Sequence, residues 1–432
     1  MVDSTFAQTL DYLYRLLPMY QRDGAVAFKK DLDNIKELCW QLGLPQWHFN
    51  SVHIAGTNGK GSVSSMLQAV LRAAGYRTGL YTSPHLVSFT ERIRVNGKEM
   101  RPEKVVAFVE ENRGLIERAS PSFFELTVAM AFDHFAKSQV EIGVIETGLG
   151  GRLDSTNIIK PELSVITNIS MDHQAMLGNS LAEIAGEKAG IIKTYTPVVI
   201  GRKQAETLPV FHLRASENKA PLFLAEDRFR LKRLSQTWEG QEWQVEDLEE
   251  ETSFTLRLDL AGDYQEENLR TTLMAVEVMR EDGWKISDRA LKKGLANVRS
   301  FSGLRGRMEK IGDQPLTLTD TGHNEDGVKE VLNQLSGLTD RPLHIVWGMV
   351  SDKNHEEILC LLPKDAHYYW VKPEVPRGLD ALTLSMKAES VGLKGEICNA
   401  VQHGLDRAKS QAEASEVIFV GGSTFVVAEV LT

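Results

Sequence analysis

The chain has 432 residues, 42% of them hydrophobic and 25% charged, with a formal net charge of −10. That length accommodates two or three domains with full cores, and the acidic balance argues against a nucleic-acid partner, which is gripped by clustered Lys and Arg. No apolar run approaches the ~20 residues needed to span a bilayer. The three cysteines (Cys39, Cys360, Cys398) are too widely spaced for a disulfide framework or a cysteine metal site, so a soluble, reducing, cytoplasmic setting is expected.

Residues 1–50 read as helical; from Asp31 to Gly43, Leu32, Ile35, Leu38, Cys39 and Leu42 share one face. Short apolar strands then alternate with helices. The expected strands are Ser51–Ala55, Thr78–Tyr81, Ile142–Glu146, Ser164–Asn168 and Pro197–Ile200. Near-continuous apolar strands alternating with helices predict a mainly parallel sheet covered on both faces. The charged stretch from about residue 206 to 259 alternates differently and reads as an antiparallel insertion, followed by a helix over Glu267–Glu281. Val298–Gly306 reads as a linker. Beyond it the alternation restarts at Leu316–Thr319, Leu343–Trp347, His367–Val371 and Val417–Val420. The expected architecture is α/β: a P-loop-type nucleotide-binding domain over residues 1–298 and a smaller doubly wound, Rossmann-like domain over 299–432.

The clearest chemical signal is Gly56-Thr57-Asn58-Gly59-Lys60-Gly61-Ser62. It follows the strand Ser51–Ala55 and opens a helix whose apolar stripe is Val63, Met66, Leu67, Val70, Leu71 and Ala74. Strand, glycine loop and helix start form a phosphate cradle: backbone N–H groups and the positive helix end face the anion. Lys60 adds a full charge, and Ser62 a hydroxyl for phosphate or Mg²⁺. The loop departs from the common P-loop spacing, because residue 54 is Ile and Gly61 separates Lys60 from Ser62.

Phosphoryl transfer also needs a divalent cation, and Mg²⁺ takes a few hard oxygen ligands at the C-terminal ends of parallel strands. Ser83 follows one such strand, Glu146 ends another, and Asp172 and His173 follow a third. Singly, each is more often a capping, turn or packing residue. Their joint position on the edge that carries the phosphate loop shifts the balance towards a site.

Together Thr57–Ser62, Thr82-Ser83-Pro84-His85, Glu146–Asn157, Met171-Asp172-His173 and Glu187–Lys193 resemble the folylpolyglutamate synthase/dihydrofolate synthase branch of the Mur ligase superfamily. The resemblance implies ATP-dependent joining of a pterin-bearing carboxylate to the amine of L-glutamate through an acyl phosphate. It implies two Mg²⁺ ions, one on Ser83 and Glu146 and the other on His173, and a carbamylated Lys188 that also supports metal. Lys60, Glu146, His173 and Lys188 would be the catalytic set. Thr57, Asn58, Gly59, Lys60, Gly61, Ser62, Asn268, Arg307 and Asp320 would bind ATP. Phe123, Phe124, Glu125, Asp154, Ser155 and His323 would meet the folate or glutamate. The family also implies a monomer that binds small molecules only; the retained Asp154 and the segment around Phe124 favour both first-glutamate and chain-extending activity, and nucleotide contacts on both sides of the linker near Ser302 imply domain closure.

Several positions depart from the family pattern. Arg305 replaces a proline before Gly306-Arg307, Thr321 and Gly322 replace Gly and Ala, Glu325 replaces another proline, and Asp31–Asn34 lacks a glycine. The rival readings are a cell-wall amino-acid ligase of the same superfamily and a non-ligating P-loop ATPase. Thr82–His85 and Glu146–Asp154 favour the folate branch over the first.

Overall fold

The computed structural model describes residues 2–19, 31–338, 342–351 and 354–432. The helical expectation for residues 1–50 is met at Val2–Leu16 and Asp33–Gln41; its remainder between 20 and 30 lies outside the described residues. No described helix is long and apolar enough to cross a membrane.

The first sheet has eight strands: β1 (Asn50–Ala55), β2 (Thr78–Tyr81), β3 (Ile93–Val95), β4 (Lys98–Glu99), β5 (Ile142–Glu146), β6 (Leu163–Ile166), β7 (Val198–Ile200) and β8 (Leu222–Leu224). Their order is β4-β3-β2-β5-β1-β6-β7-β8. The six strands from β2 to β8 pair in parallel, and β3 and β4 form an antiparallel edge. On one face the helix Lys60–Ala73 buries Val63, Met66, Leu67 and Val70 against the sheet and the helix Gln265–Glu281. On the other, the helices Asp33–Gln41 and Phe123–Lys137 cover Tyr81 and Ile145. Covering both faces is what makes the central strands apolar throughout.

The second sheet comprises β12 (Glu309–Asp313), β13 (Leu316–Thr319), β14 (His344–Trp347), β15 (His367–Trp370), β16 (Gly395–Ile397) and β17 (Val417–Gly421), ordered β12-β13-β17-β14-β15-β16. Only β12 is antiparallel to its neighbour. Alternate residues feed opposite cores: Ile345 and Trp347 point to one, Val346 to the other.

Two expectations are corrected. The stretch 206–259 is not antiparallel throughout. It starts with the helix Leu208–Glu217 and with β8, which extends the parallel sheet; Phe211 and Ala215 bury the helix's apolar side. Only β9 (Phe229–Thr237), β10 (Gly240–Asp247) and β11 (Thr252–Leu258) form the antiparallel sheet. Val298–Ser302, read as linker, is a short helix with Val298 and Ser302 fully buried, and it ends at Gly303 with φ +75°. The chain therefore passes between the sheets just after Gly303.

Candidate active site

The phosphate loop fills the gap between β1 and the helix Lys60–Ala73. Its glycines are required sterically. A Cβ on Gly56 (φ +148°) would lie 1.9 Å from Thr167 Oγ1, and one on Gly59 (φ +82°) 2.1 Å from Asn268 Oδ1. Asn168, just beyond β6, holds the loop from the side: its Oδ1 accepts from Asn58 N at 2.9 Å, and its carbonyl accepts from Thr57 N at 2.9 Å.

Two lysines converge beneath the loop. Lys60 Nζ donates to Gly56 O and Thr57 O, both at 3.0 Å. Lys188 Nζ donates to Gly56 O at 2.8 Å from the end of the helix Leu181–Lys188. Lys188 is 4% exposed, and burial followed by the neighbouring Lys60 charge pulls its pKa down to about 7. Burial also lowers that of Lys60, opposed by Glu146 and Asp172.

Glu146, the last residue of β5, is buried, and its Oε2 accepts from Ser83 N at 3.3 Å. Burial raises its pKa to about 7, against the pull of Lys60 and Arg307. A Cβ on Gly61 would meet Arg307 Nη2 at 3.6 Å and Glu146 Oε2 at 3.8 Å, so the arginine crosses from the second sheet to the loop. Ser62 is buried, with its hydroxyl 3.3 Å from Gln265 Nε2.

One cavity opens from this floor. It is lined by Thr57, Lys60, Ser83, Phe123, Phe124, Asp154, Ser155, His173, Lys188 and His323 among the expected residues. Asp172 stands between the two imidazoles, with Oδ2 at 3.7 Å from His173 Nε2 and 3.5 Å from His323 Nε2. His173 has φ +52° and opens the short helix Gln174–Leu177. Phe123 and Phe124 form an apolar wall; Phe124 packs on Gly148, where a Cβ would lie 2.4 Å from the ring.

Other expected residues serve the frame. Glu125 is 1% exposed and does not line the cavity. Its Oε2 accepts from Ser122 N at 2.6 Å, and its own N donates to Ser122 Oγ at 3.2 Å: a reciprocal cap on the helix Phe123–Lys137. Asp154 lines the cavity, yet its oxygens accept from Gly148 N and Leu149 N at 2.8 Å and Thr156 N at 3.0 Å, which fixes the glycine-rich turn after β5. Asn268 is buried against Gly59 and donates to Gln265 Oε1 at 2.8 Å. Asp320 accepts from Met308 N at 2.7 Å, Gly322 N at 2.8 Å and the Tyr264 hydroxyl.

Residues the sequence reading did not single out also face the cavity. Arg92, the last residue of the short helical turn Phe89–Arg92 before β3, donates to His85 Nδ1 at 2.8 Å and lies 5.5 Å from the centre of the Phe123 ring. An imidazole nitrogen that accepts from a guanidinium cannot also hold a proton, in line with a His85 pKa lowered to about 3 by burial and Arg92. Arg377, Ser423 and Phe425 line the cavity from the second sheet. None belongs to a local pattern; only folding brings them here.

Comparison with known proteins gives a consistent result. Residues 54–276 match the family model "Mur ligase middle domain", and residues 306–424 match "Mur ligase, glutamate ligase domain". The dihydrofolate synthase/folylpolyglutamate synthase of Bacillus subtilis is 32% identical, over 93% of this chain and 94% of its own length. A Haloferax volcanii protein named as a probable bifunctional folylpolyglutamate synthase/dihydropteroate synthase is 34% identical over 94% of this chain, which spans only 48% of that relative. Among solved structures, Escherichia coli FolC in complex with DHPP and ADP superposes with a TM-score of 0.86 at 29% identity, covering 99% of this chain and 96% of FolC. A bifunctional folylpolyglutamate synthase/dihydrofolate synthase with Mn, AMPPNP and L-glutamate bound reaches 0.82 at 29% identity, covering 99% of this chain and 97% of the other.

Proposed function

The chain belongs to the Mur ligases and, within them, to the folylpolyglutamate synthase/dihydrofolate synthase family; on that premise we propose that it joins L-glutamate to a folate-type carboxylate at the expense of ATP. The observation that carries this reading is one cavity in which the phosphate loop, two converging lysines and a wall of aromatic rings meet residues of the second sheet, with the buried Glu146 bonded to the lining residue Ser83. A non-ligating ATPase has no need of the aromatic wall or of His323 and Arg377 lining the same cavity as the phosphate loop.

In this reading the acceptor carboxylate attacks the γ-phosphorus of ATP and ADP leaves. The glutamate amine, having lost its proton, then attacks the acyl carbon; phosphate departs and the amide forms. Lys60 and the loop amides hold the polyphosphate, and Arg307 closes on it from the second sheet. Asn268 and Asp320 set the nucleotide pocket through Gly59 and the Met308 amide. Positioning and charge neutralisation account for most of the acceleration. Phe123 and Phe124 face the flat pterin. His323, with Nδ1 2.9 Å from Thr321 O, orients the glutamate side. We read the activity as covering both the first glutamate and further ones.

The residues present suit Mg²⁺. Among the described residues no three His, Cys, Asp or Glu side chains form a closed metal cage. Ser83 and Glu146 nonetheless meet at the loop, and Mg²⁺ keeps waters and takes phosphate oxygens beside one or two carboxylates. When bound it would neutralise charge on the phosphates. His173 and Lys188 would support a second ion, Lys188 after its neutral Nζ adds CO₂ and loses a proton to become a carbamate. The lowered pKa of Lys188 favours that addition. We read the protein as a cytoplasmic monomer, with free Cys39, Cys360 and Cys398.

The test is a joint measurement of amide product and phosphate with ATP, Mg²⁺ and labelled glutamate. Dihydropteroate and tetrahydrofolate are offered separately as acceptors. One phosphate per amide is expected, and Lys60→Ala should lose at least about 100-fold in rate. Phosphate release that ignores both acceptors would remove the ligase reading.

A further inference from the structure

Outside the cavity, the loop and the second sheet are joined by a chain of polar contacts centred on Arg202. This residue follows β7, and its backbone N donates to Thr167 O at 2.9 Å, beside the turn that carries Asn168. Its guanidinium Nε donates to Glu267 Oε2 at 2.7 Å. The other oxygen of Glu267 accepts from Asn168 Nδ2 at 2.9 Å, and Asn168 Oδ1 accepts from the loop amide of Asn58 at 2.9 Å. Two side chains, those of Glu267 and Asn168, thus link Arg202 to the phosphate loop.

The same guanidinium reaches the second sheet. Its Nη atoms lie 3.9 Å from Asp326 and 3.8 Å from Glu330, both on the helix Glu325–Ser336. That helix is docked at its start by two further contacts. Ser170 Oγ donates to Asp326 Oδ2 at 2.6 Å, and the carboxamides of Asn58 and Asn324 exchange hydrogen bonds at 2.9 and 3.2 Å. Asn324 is also the helix cap, accepting from Gly327 N at 2.9 Å. Asn58 therefore meets the second sheet twice, directly through Asn324 and indirectly through Asn168, Glu267 and Arg202.

We propose that Arg202 is a positioning residue that ties the phosphate loop to the helix Glu325–Ser336, so that the second sheet's residues, among them His323, reach the reacting atoms only when the loop is in place. The physical basis is charge balance. Glu267 is 18% exposed and needs a cation; Arg202 supplies it and has donors left over for two more carboxylates. Removing the arginine leaves Glu267 short of its counter-charge next to Asn168 and leaves Asp326 and Glu330 facing it uncompensated. This rests on the ligase reading, because the step that suffers is the one needing both sheets.

The experiment is a mutant cycle on the full-length protein, reading kcat and the KM for ATP in the ligation assay, phosphate release, and thermal midpoint. One arm is Arg202→Met. The other is the pair Asp326→Asn with Glu330→Gln, which spares the Glu267 contact. The pair should lower kcat about fivefold with little change in the KM for ATP, because partly exposed charge contacts are of modest strength. Arg202→Met should lower kcat about tenfold and raise the KM for ATP as well, since it acts on both sides. The triple variant should lose no more kcat than Arg202→Met alone, a non-additivity that a merely structural residue would not produce. Arg202→Lys, which keeps the charge and loses the fork, should fall between.

Multiplying losses in the triple variant would overturn the proposal, as would an unchanged kcat in the carboxylate pair. Should Arg202→Met fail to fold, the pair and Arg202→Lys decide the matter on their own. Failure of the wild type to form amide would sink the ligase reading while leaving the cycle readable in phosphate release.

Discussion

Lys60 and Lys188 donate to the same acceptor, the carbonyl oxygen of Gly56, at 3.0 and 2.8 Å. Two ammonium groups sharing one oxygen in a buried site repel one another, so at least one is held near neutrality. Lys188 is the one whose pKa falls to about 7, and its placement therefore has consequences beyond catalysis.

The first prediction concerns stability. A lysine whose folded pKa is depressed from 10.5 to about 7 costs stability below pH 7, and that cost fades as pH rises towards the unfolded value. In CO₂-free buffer, Lys188→Met should raise the thermal midpoint relative to wild type at pH 6, with the advantage shrinking by pH 9. Ligation should be lost at every pH. A midpoint difference that grows with pH would contradict the assignment. Labelled bicarbonate should give a carbamate carbon signal in the wild type that Lys188→Met lacks.

The proposed role of Glu146 as a Mg²⁺ ligand predicts a pH-dependent metal requirement. Its pKa of about 7 means that the carboxylate is protonated below neutrality, and a protonated acid is a poor ligand. The Mg²⁺ concentration for half-maximal rate should rise about tenfold per unit as pH drops below 7. Glu146→Gln should flatten that profile and lower the rate about 100-fold or more. A titration showing the same Mg²⁺ requirement at pH 6 and 8 would count against this role.

The loop glycines give a steric test. Gly56→Ala and Gly59→Ala place a methyl 1.9 Å from Thr167 Oγ1 and 2.1 Å from Asn268 Oδ1, at positive φ. Each should weaken nucleotide binding by about tenfold or more, measured by calorimetry, while the rest of the fold persists. In Gly59→Ala, the additional change Asn268→Ala should recover part of the loss by making room. No recovery would mean that backbone strain dominates.

Asp154 separates frame from ligand. It accepts three backbone N–H groups, so Asp154→Ala strands buried donors, at a cost of roughly 2–4 kcal/mol in unfolding free energy. Denaturant melts should show that loss with no acceptor present. If stability is untouched and only the KM for folate rises, Asp154 is a substrate contact rather than the clasp of the turn.

The two sides of the site differ in how far local sequence reveals them. The phosphate loop was legible because its chemistry is local. Gly56, Gly59, Lys60 and Ser62 lie within seven residues, and the apolar period on either side announces strand and helix. Glu146, Ser83 and His173 were legible as strand-end residues for the same reason. Local pattern was ambiguous where one residue type can serve more than one role. Glu125 stands beside two phenylalanines, and one oxygen of its carboxylate caps Ser122 N three residues back, because a helix start must satisfy its amides. Leu208–Glu217 and β8 read as hairpin because charge hid a one-sided apolar stripe, and Val298–Ser302 read as linker because turn residues obscured a buried helical turn. The sequence alone determined a parallel α/β protein that grips phosphate and carries the marks of its ligase family. Only the tertiary structure decided that Arg92 stacks on the aromatic wall, that Lys60 and Lys188 share one oxygen, and that Arg202 spans both sheets. Such meetings depend on β1 lying between β5 and β6, which is settled by the packing of whole sheets and helices and by no short stretch of chain.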